Sequence, residues 1–176
     1  MVEKQVIVSG IEISHTGLFS VKDIEQNLTK YIEKKGYVLN DKTHDIIADP
    51  NAAKHTIIFT FSKKTSQYDT SIFKAKVCFE NMTKSHALRN DIKIVCDKGK
   101  VTILFTGLSK SLKEGFVGYT PFRYFFTFLR SKFITKKYDD IPGAGLDADI
   151  KDVYDEVHLY IKHTDLKEIS EDTDVS

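Results

Sequence analysis

The sequence predicts an α+β fold, a single curved antiparallel sheet of about six or seven strands packed against helices on one face. Three observations carry this. A helix-period stripe follows the first strand. A long stretch of two-residue alternation follows that helix, and helical periodicity returns only after residue 119. A parallel sheet needs a crossover, usually a helix, between successive strands, and residues 37–107 contain no helical stripe of that length. Rossmann and P-loop architectures are therefore not expected.

The first strand runs from Val6-Ile7-Val8 past Gly10 to Ile11 and Ile13, with a bulge expected at the glycine. Ser20 then precedes Val21, Ile24, Leu28, Tyr31 and Ile32, which lie on one helical face. Asp23 completes a variant of the capping box, and Gly36 suits the stop. Tyr37–Leu39 and Asp45–Ala48 read as strands flanking a short polar turn. In His55–Phe61, alternation puts Ile57, Phe59 and Phe61 on one face. In Ser71–Glu80 it does the same for Phe73, Ala75, Val77 and Phe79. Ile92, Ile94 and Cys96 are answered by Val101, Ile103 and Phe105 across an expected turn at Asp97-Lys98-Gly99-Lys100. Residues 108–118 read as a connection. Pro121 opens an expected helix over 121–137, and a last helix is expected over about 149–163, with Ile150, Val153, Tyr154, Val157, Tyr160 and Ile161 as its buried stripe. Residues 1–164 thus form one expected α+β domain, and 165–176 an acidic tail expected to be disordered.

This order of strand, helix, several strands and closing helices resembles the helix-grip arrangement, in which a curved sheet wraps a long C-terminal helix and often leaves an apolar cavity. The resemblance rests on element order. Combined with the face assignments, it makes Phe59, Phe61, Phe73, Phe79, Phe105, Phe126 and Leu129 the expected lining of a hydrophobic ligand site. Tyr119 or Tyr124 would supply a hydroxyl.

The 176 residues carry 26 Lys and Arg against 25 Asp and Glu, a net charge of +1 that excludes a uniformly basic nucleic-acid binder. No run reaches the roughly eighteen apolar residues of a membrane-spanning helix. The start of the chain lacks the basic-then-apolar pattern of an export signal, so the expected location is the cytoplasm. Cys78 and Cys96 lie in no CxxC pair and share parity with different kinds of neighbour, so two free thiols are expected.

No linear motif supplies chemistry. The six histidines form no HExxH, and Asp155 with His158 is too small a cluster for zinc, so neither a metal nor a cofactor is expected. Serines lie in no GxSxG, and Cys78 has lysines on its face but no assignable histidine. The carboxylates Asp139, Asp140, Asp147, Asp149, Asp152, Asp155 and Glu156 read as a solvated loop and helix start, without EF-hand spacing. Gly107–Ser111 lacks phosphate-loop spacing and reads as a loop.

Residues 119–138 stand apart. They hold eight of the twenty Phe and Tyr residues and five bases without an acid: Arg123, Arg130, Lys132, Lys136 and Lys137. Beyond them the chain carries twelve acids against three bases. The aromatic stripe reads first as cover for the sheet. An amphipathic helix on an anionic lipid surface is the alternative, and the acidic tail disfavours nucleic acid. The sequence therefore predicts a non-enzymatic binding or interaction module for an apolar small molecule or a protein. Peripheral membrane association through 121–137 and a small enzyme with a non-motif site are the alternatives. Oligomeric state is not legible.

Overall fold

The computed structural model describes residues 2–47, 54–66, 69–112, 145–164 and 166–168. In chain order its elements are β1 (Val2–Phe19), α1 (Val21–Lys34), β2 (Val38–Ile47), β3 (Lys54–Lys64), β4 (Asp69–Arg89), β5 (Ile92–Leu112), α2 (Leu146–Lys162) and the two-residue β6 (Lys167–Glu168). Every described strand pair is antiparallel, in the spatial order β1-β5-β4-β3-β2, with β6 pairing to β4. The curved sheet packs against the two helices in a helix-grip-like arrangement. α1 carries the chain from one edge strand to the other, and the meander β2–β5 then returns it to pair with β1.

α1 forms for the reasons its sequence implies. The Ser20 hydroxyl accepts the Asp23 backbone N–H at 3.3 Å, Ile24, Leu28 and Ile32 are buried, and Gly36 ends the helix at φ 84°. β1 is bulged at Gly10, where φ is 79° and the register with β5 shifts between Ser9 and Ile11. α2 begins one turn before the expected start because Gly145, not an acid, holds the cap position. Leu146, Ile150, Val153, Val157 and Ile161 form its buried stripe.

The expectation of six or seven strands is corrected among the described residues, where the sheet has five long strands and only the two-residue β6 beside them. Two stretches that read as turns lie inside strands. Residues 40–44 belong to β2, where they are exposed because β2 is an edge, and their polarity reflects that position. Asp97–Lys100 belongs to β5. Gly99 is needed there because a Cβ would stand 2.8 Å from the Glu80 carbonyl oxygen and 3.0 Å from that of Asn81. Opposite it, β4 carries a bulge between Glu80 and Thr83, with Asn81 at φ 54°. The turn itself is Asn90-Asp91, at φ 50° and 63°, with Arg89 paired to Ile92. Two consecutive positive φ values mark a type I′ hairpin, which Asn and Asp tolerate better than other non-glycine residues.

Residues 108–112, expected as a connection, continue β5. Gly107 lies mid-strand beneath α2, where a Cβ would stand 2.5 Å from Ile150 Cδ1. Its lack of a side chain serves helix–sheet contact, and Gly107–Ser111 is not a loop.

Candidate functional site

The register brings the expected lining residues on the described strands to one face. Lys42, Phe59, Ala75, Phe105 and Ile11 form one row across the sheet, and Leu39, Phe61, Phe73, Gly107 and Val8 form the next. On the other side of the first row, beyond Ile57, Val77 and Ile103, Phe79 lies between His55 and Val101. All five phenylalanines are fully buried in the cluster shared with α1 and α2. Phe73 meets Tyr37 and Phe105 edge-on at 5.7 and 5.8 Å, Phe105 meets Tyr154 at 6.5 Å, and Phe79 stacks on Phe19 at 5.7 Å. These are core contacts, each ring contributing about 1.5–3 kcal/mol through burial. Tyr119, Tyr124, Phe126, Leu129, the bases Arg123, Arg130, Lys132, Lys136 and Lys137, and the expected helix 121–137 lie outside the described residues. A cleft lined by His15, Phe19, Ile24, Tyr160 and Thr164 encloses about 10 Å³, enough for one water.

One end of this face is polar. The Tyr37 hydroxyl donates to Asp149 Oδ2 at 3.1 Å, and Lys63 Nζ stands 3.5 Å from the same oxygen, donates to the Lys35 carbonyl at 2.8 Å and lies over the Tyr37 ring. Lys35 pairs with Asp152, and Lys34 with Glu156 at 3.2 Å. Burial, and then the Asp149 carboxylate, hold the Tyr37 phenol well above its usual range, so it stays a neutral donor. Hydrogen bonding to Asp152 raises Lys35. The acids Asp149, Asp152 and Glu156, which read as solvated, instead fasten α2 to α1 and β3. The arrangement positions a helix against its neighbours.

The opposite end carries histidines. His44 on β2 pairs with Ile57, and His55 on β3 pairs with Ile46, so the two rings are diagonal neighbours on the helix-covered face. His44 Nδ1 stands 3.5 Å from His55 Nε2, and the rings stack with centroids 5.7 Å apart. His55 rests on Phe79 at 5.8 Å, so a file of rings, Phe19, Phe79, His55 and His44, runs from the core to an exposed edge. The sequence shows both histidines but not their contact, which depends on a two-strand register.

The third feature is the arm formed by residues 83–98, the part of the β4–β5 hairpin beyond the bulge. The register divides it into two faces. Ala87 and Cys96, on one, are buried. Leu88 and Val95, on the other, are 37% and 63% exposed, while Ile92, beside the turn on the face of Ala87 and Cys96, is 65% exposed. The arm is anchored to α1 by Arg89–Asp23 at 2.7 Å and by β6 pairing along Ala87-Leu88, and Lys84–Asp97 at 2.6 Å joins its own two strands. Sequence reading missed this element because its turn contains no glycine.

Among the described residues no three His, Cys, Asp or Glu side chains gather as a metal cluster, and no helix is long and apolar enough to cross a membrane. Cys78 and Cys96 are not joined by a disulfide: Cys78 Sγ accepts from Thr56 at 3.7 Å and Cys96 Sγ donates to the Ser85 carbonyl at 3.7 Å. His158 stacks on Tyr154 at 5.8 Å, in line with a structural role. Comparison of the chain with family models, curated proteins and solved structures finds no match.

Proposed function

We propose that this chain is a non-enzymatic interaction module that engages a protein partner through the β4–β5 arm. The observation that carries this reading is the joint exposure of Leu88 and Val95 on one face of a hairpin that an internal ion pair stiffens and that one ion pair and a strand contact fasten to the body. Aliphatic side chains held in water by an ordered backbone bind with little loss of conformational entropy, which favours docking. Lys93 and His86 flank them and give the patch a polar rim. The closed phenylalanine cluster supports an exterior surface over an interior ligand site, because a ligand among those rings would have to displace core contacts.

The test places a photo-crosslinking residue at Val95 in one variant and at Val38, an exposed aliphatic residue on the far edge strand, in another. The expected result is a discrete protein adduct from position 95 in cells making the chain, absent from position 38 and lost when Leu88→Ser, on the same face, is added. Equal labelling at both positions, or an adduct indifferent to Leu88→Ser, overturns the reading.

A further inference from the structure

We propose that His44 and His55 bind a late first-row divalent metal ion, of the Cu2+ or Ni2+ class, and so clip the edge strand β2 to β3. This is independent of the arm, which lies on other strands. Imidazole nitrogen suits these ions, whereas Mg2+ and Ca2+ demand oxygen donors that the pair does not offer. The spacing fits. Metal–imidazole bonds are about 2.0–2.1 Å long, so nitrogens 3.5 Å apart can reach a shared ion, and closure to about 2.9 Å gives the right angle that Cu2+ and Ni2+ favour.

Without an ion, one ring donates its N–H to the other's lone pair across that gap. To ligate, the donor ring moves its proton to its second nitrogen. Both imidazoles remain neutral, both lone pairs turn to the ion, and no net proton is released. The site is partly organised beforehand. His55 is half-buried and packs on Phe79, itself fully buried, while His44 is exposed and stacks on His55. Only His44 therefore needs much adjustment. Two protein ligands leave the remaining coordination positions to water or to a second molecule, so the ion is exchangeable. The cationic neighbour on the same face, Lys42, is held by Glu25 at 2.7 Å and lies over Phe59, so its charge is partly offset.

The consequence falls on β2, which has a strand on one side only. An ion joining His44 to His55 ties the outermost strand to its neighbour by bonds independent of the ladder, and raises the melting temperature, because it binds the folded chain and not the unfolded one.

The experiment titrates the full chain, freed of metal with a chelator, with CuCl2 and NiCl2, and with MgCl2 and CaCl2 as controls, by calorimetry and thermal melting. One ion per chain is expected, Cu2+ the tightest, with no binding of Mg2+ or Ca2+. His44→Gln, at an exposed position, is expected to keep the wild-type circular dichroism, to weaken binding at least about tenfold and to abolish the rise in melting temperature. His86→Gln should change nothing. In the wild type, amide signals of Ile46, His55 and Ile57 should broaden first as paramagnetic Cu2+ is added, which locates the ion without a substitution. Undiminished affinity in His44→Gln, or broadening centred elsewhere, overturns the proposal, as does the absence of binding in the wild type.

Discussion

β4 and β5 are neighbours over their whole lengths of 21 residues each, yet the two halves of the hairpin they form behave differently. In the half nearest the chain's other strands, Phe73, Ala75, Val77 and Phe79 on β4 and Val101, Ile103 and Phe105 on β5 are buried beneath two helices. Beyond the bulge opposite Gly99, the same ladder carries Leu88, Ile92 and Val95 out into water. Strand pairing alone therefore does not decide burial. What decides it is whether a helix or further strand lies over the face, and the bulge marks where that cover changes.

Removing a ring from the closed half should produce the largest effect. Phe105→Ala is expected to destabilise the chain by about 3–5 kcal/mol in urea unfolding, because the space it vacates is walled by Phe73, Ala75 and Tyr154. A loss below about 1 kcal/mol would mean that this half has room to collapse or holds a cavity. Next comes the junction. Gly99→Ala drives a methyl against two backbone carbonyls of β4, at an expected cost of about 1–3 kcal/mol. Hydrogen exchange should then accelerate in residues 83–98 and remain slow at Phe73–Phe79. Uniform acceleration would show that arm and body unfold as one unit.

Tyr37→Phe removes the hydroxyl donated to Asp149 and should cost about 1 kcal/mol. It also changes the response to alkali. The folded phenol is raised above its ordinary value of 10.0, so its stabilisation is present below pH 10 and is lost as pH climbs beyond it. Wild type should lose stability more steeply than Tyr37→Phe above pH 10, as read by urea midpoints. Equal slopes would detach Tyr37 from the fastening of α2. Smallest of all, Val95→Ser should alter stability by less than about 0.5 kcal/mol, since Val95 is already largely in water. A greater loss would place the arm's exposed face inside the cooperative core.

What the sequence revealed tracks the same boundary. α1 was legible in full because Ser20, the stripe Ile24, Leu28 and Ile32, and Gly36 all act within one helix. The five phenylalanines were assigned to the correct face because alternation is reliable where one side is covered. The turns were not legible. Asp97-Lys98-Gly99-Lys100 has turn composition, but Gly99 is there to let β4 pass closely, which depends on a strand almost twenty residues earlier in the chain. Asn90-Asp91 lacks the glycine that usually announces a type I′ turn. The histidine contact was hidden for the same reason: it needs the β2–β3 register, including the shift between Leu39 and Asp41.

The pairing of β1 with β5 sets a timetable for synthesis. Phe19 meets Asp97 and Val2 meets Leu112, separations of 78 and 110 residues. At roughly 5–20 residues per second, β1 waits on the order of 4–20 s after it is made before its partner exists. Loop closure over such spans is also slow. During that interval α1 can form locally while the strand before it presents unpaired amides to any neighbouring nascent chain. The two register shifts in β1, at Val6/Val8 and Ser9/Ile11, belong to its pairing with β5, so they break up the straight edge on which another strand would add only once that partner has arrived.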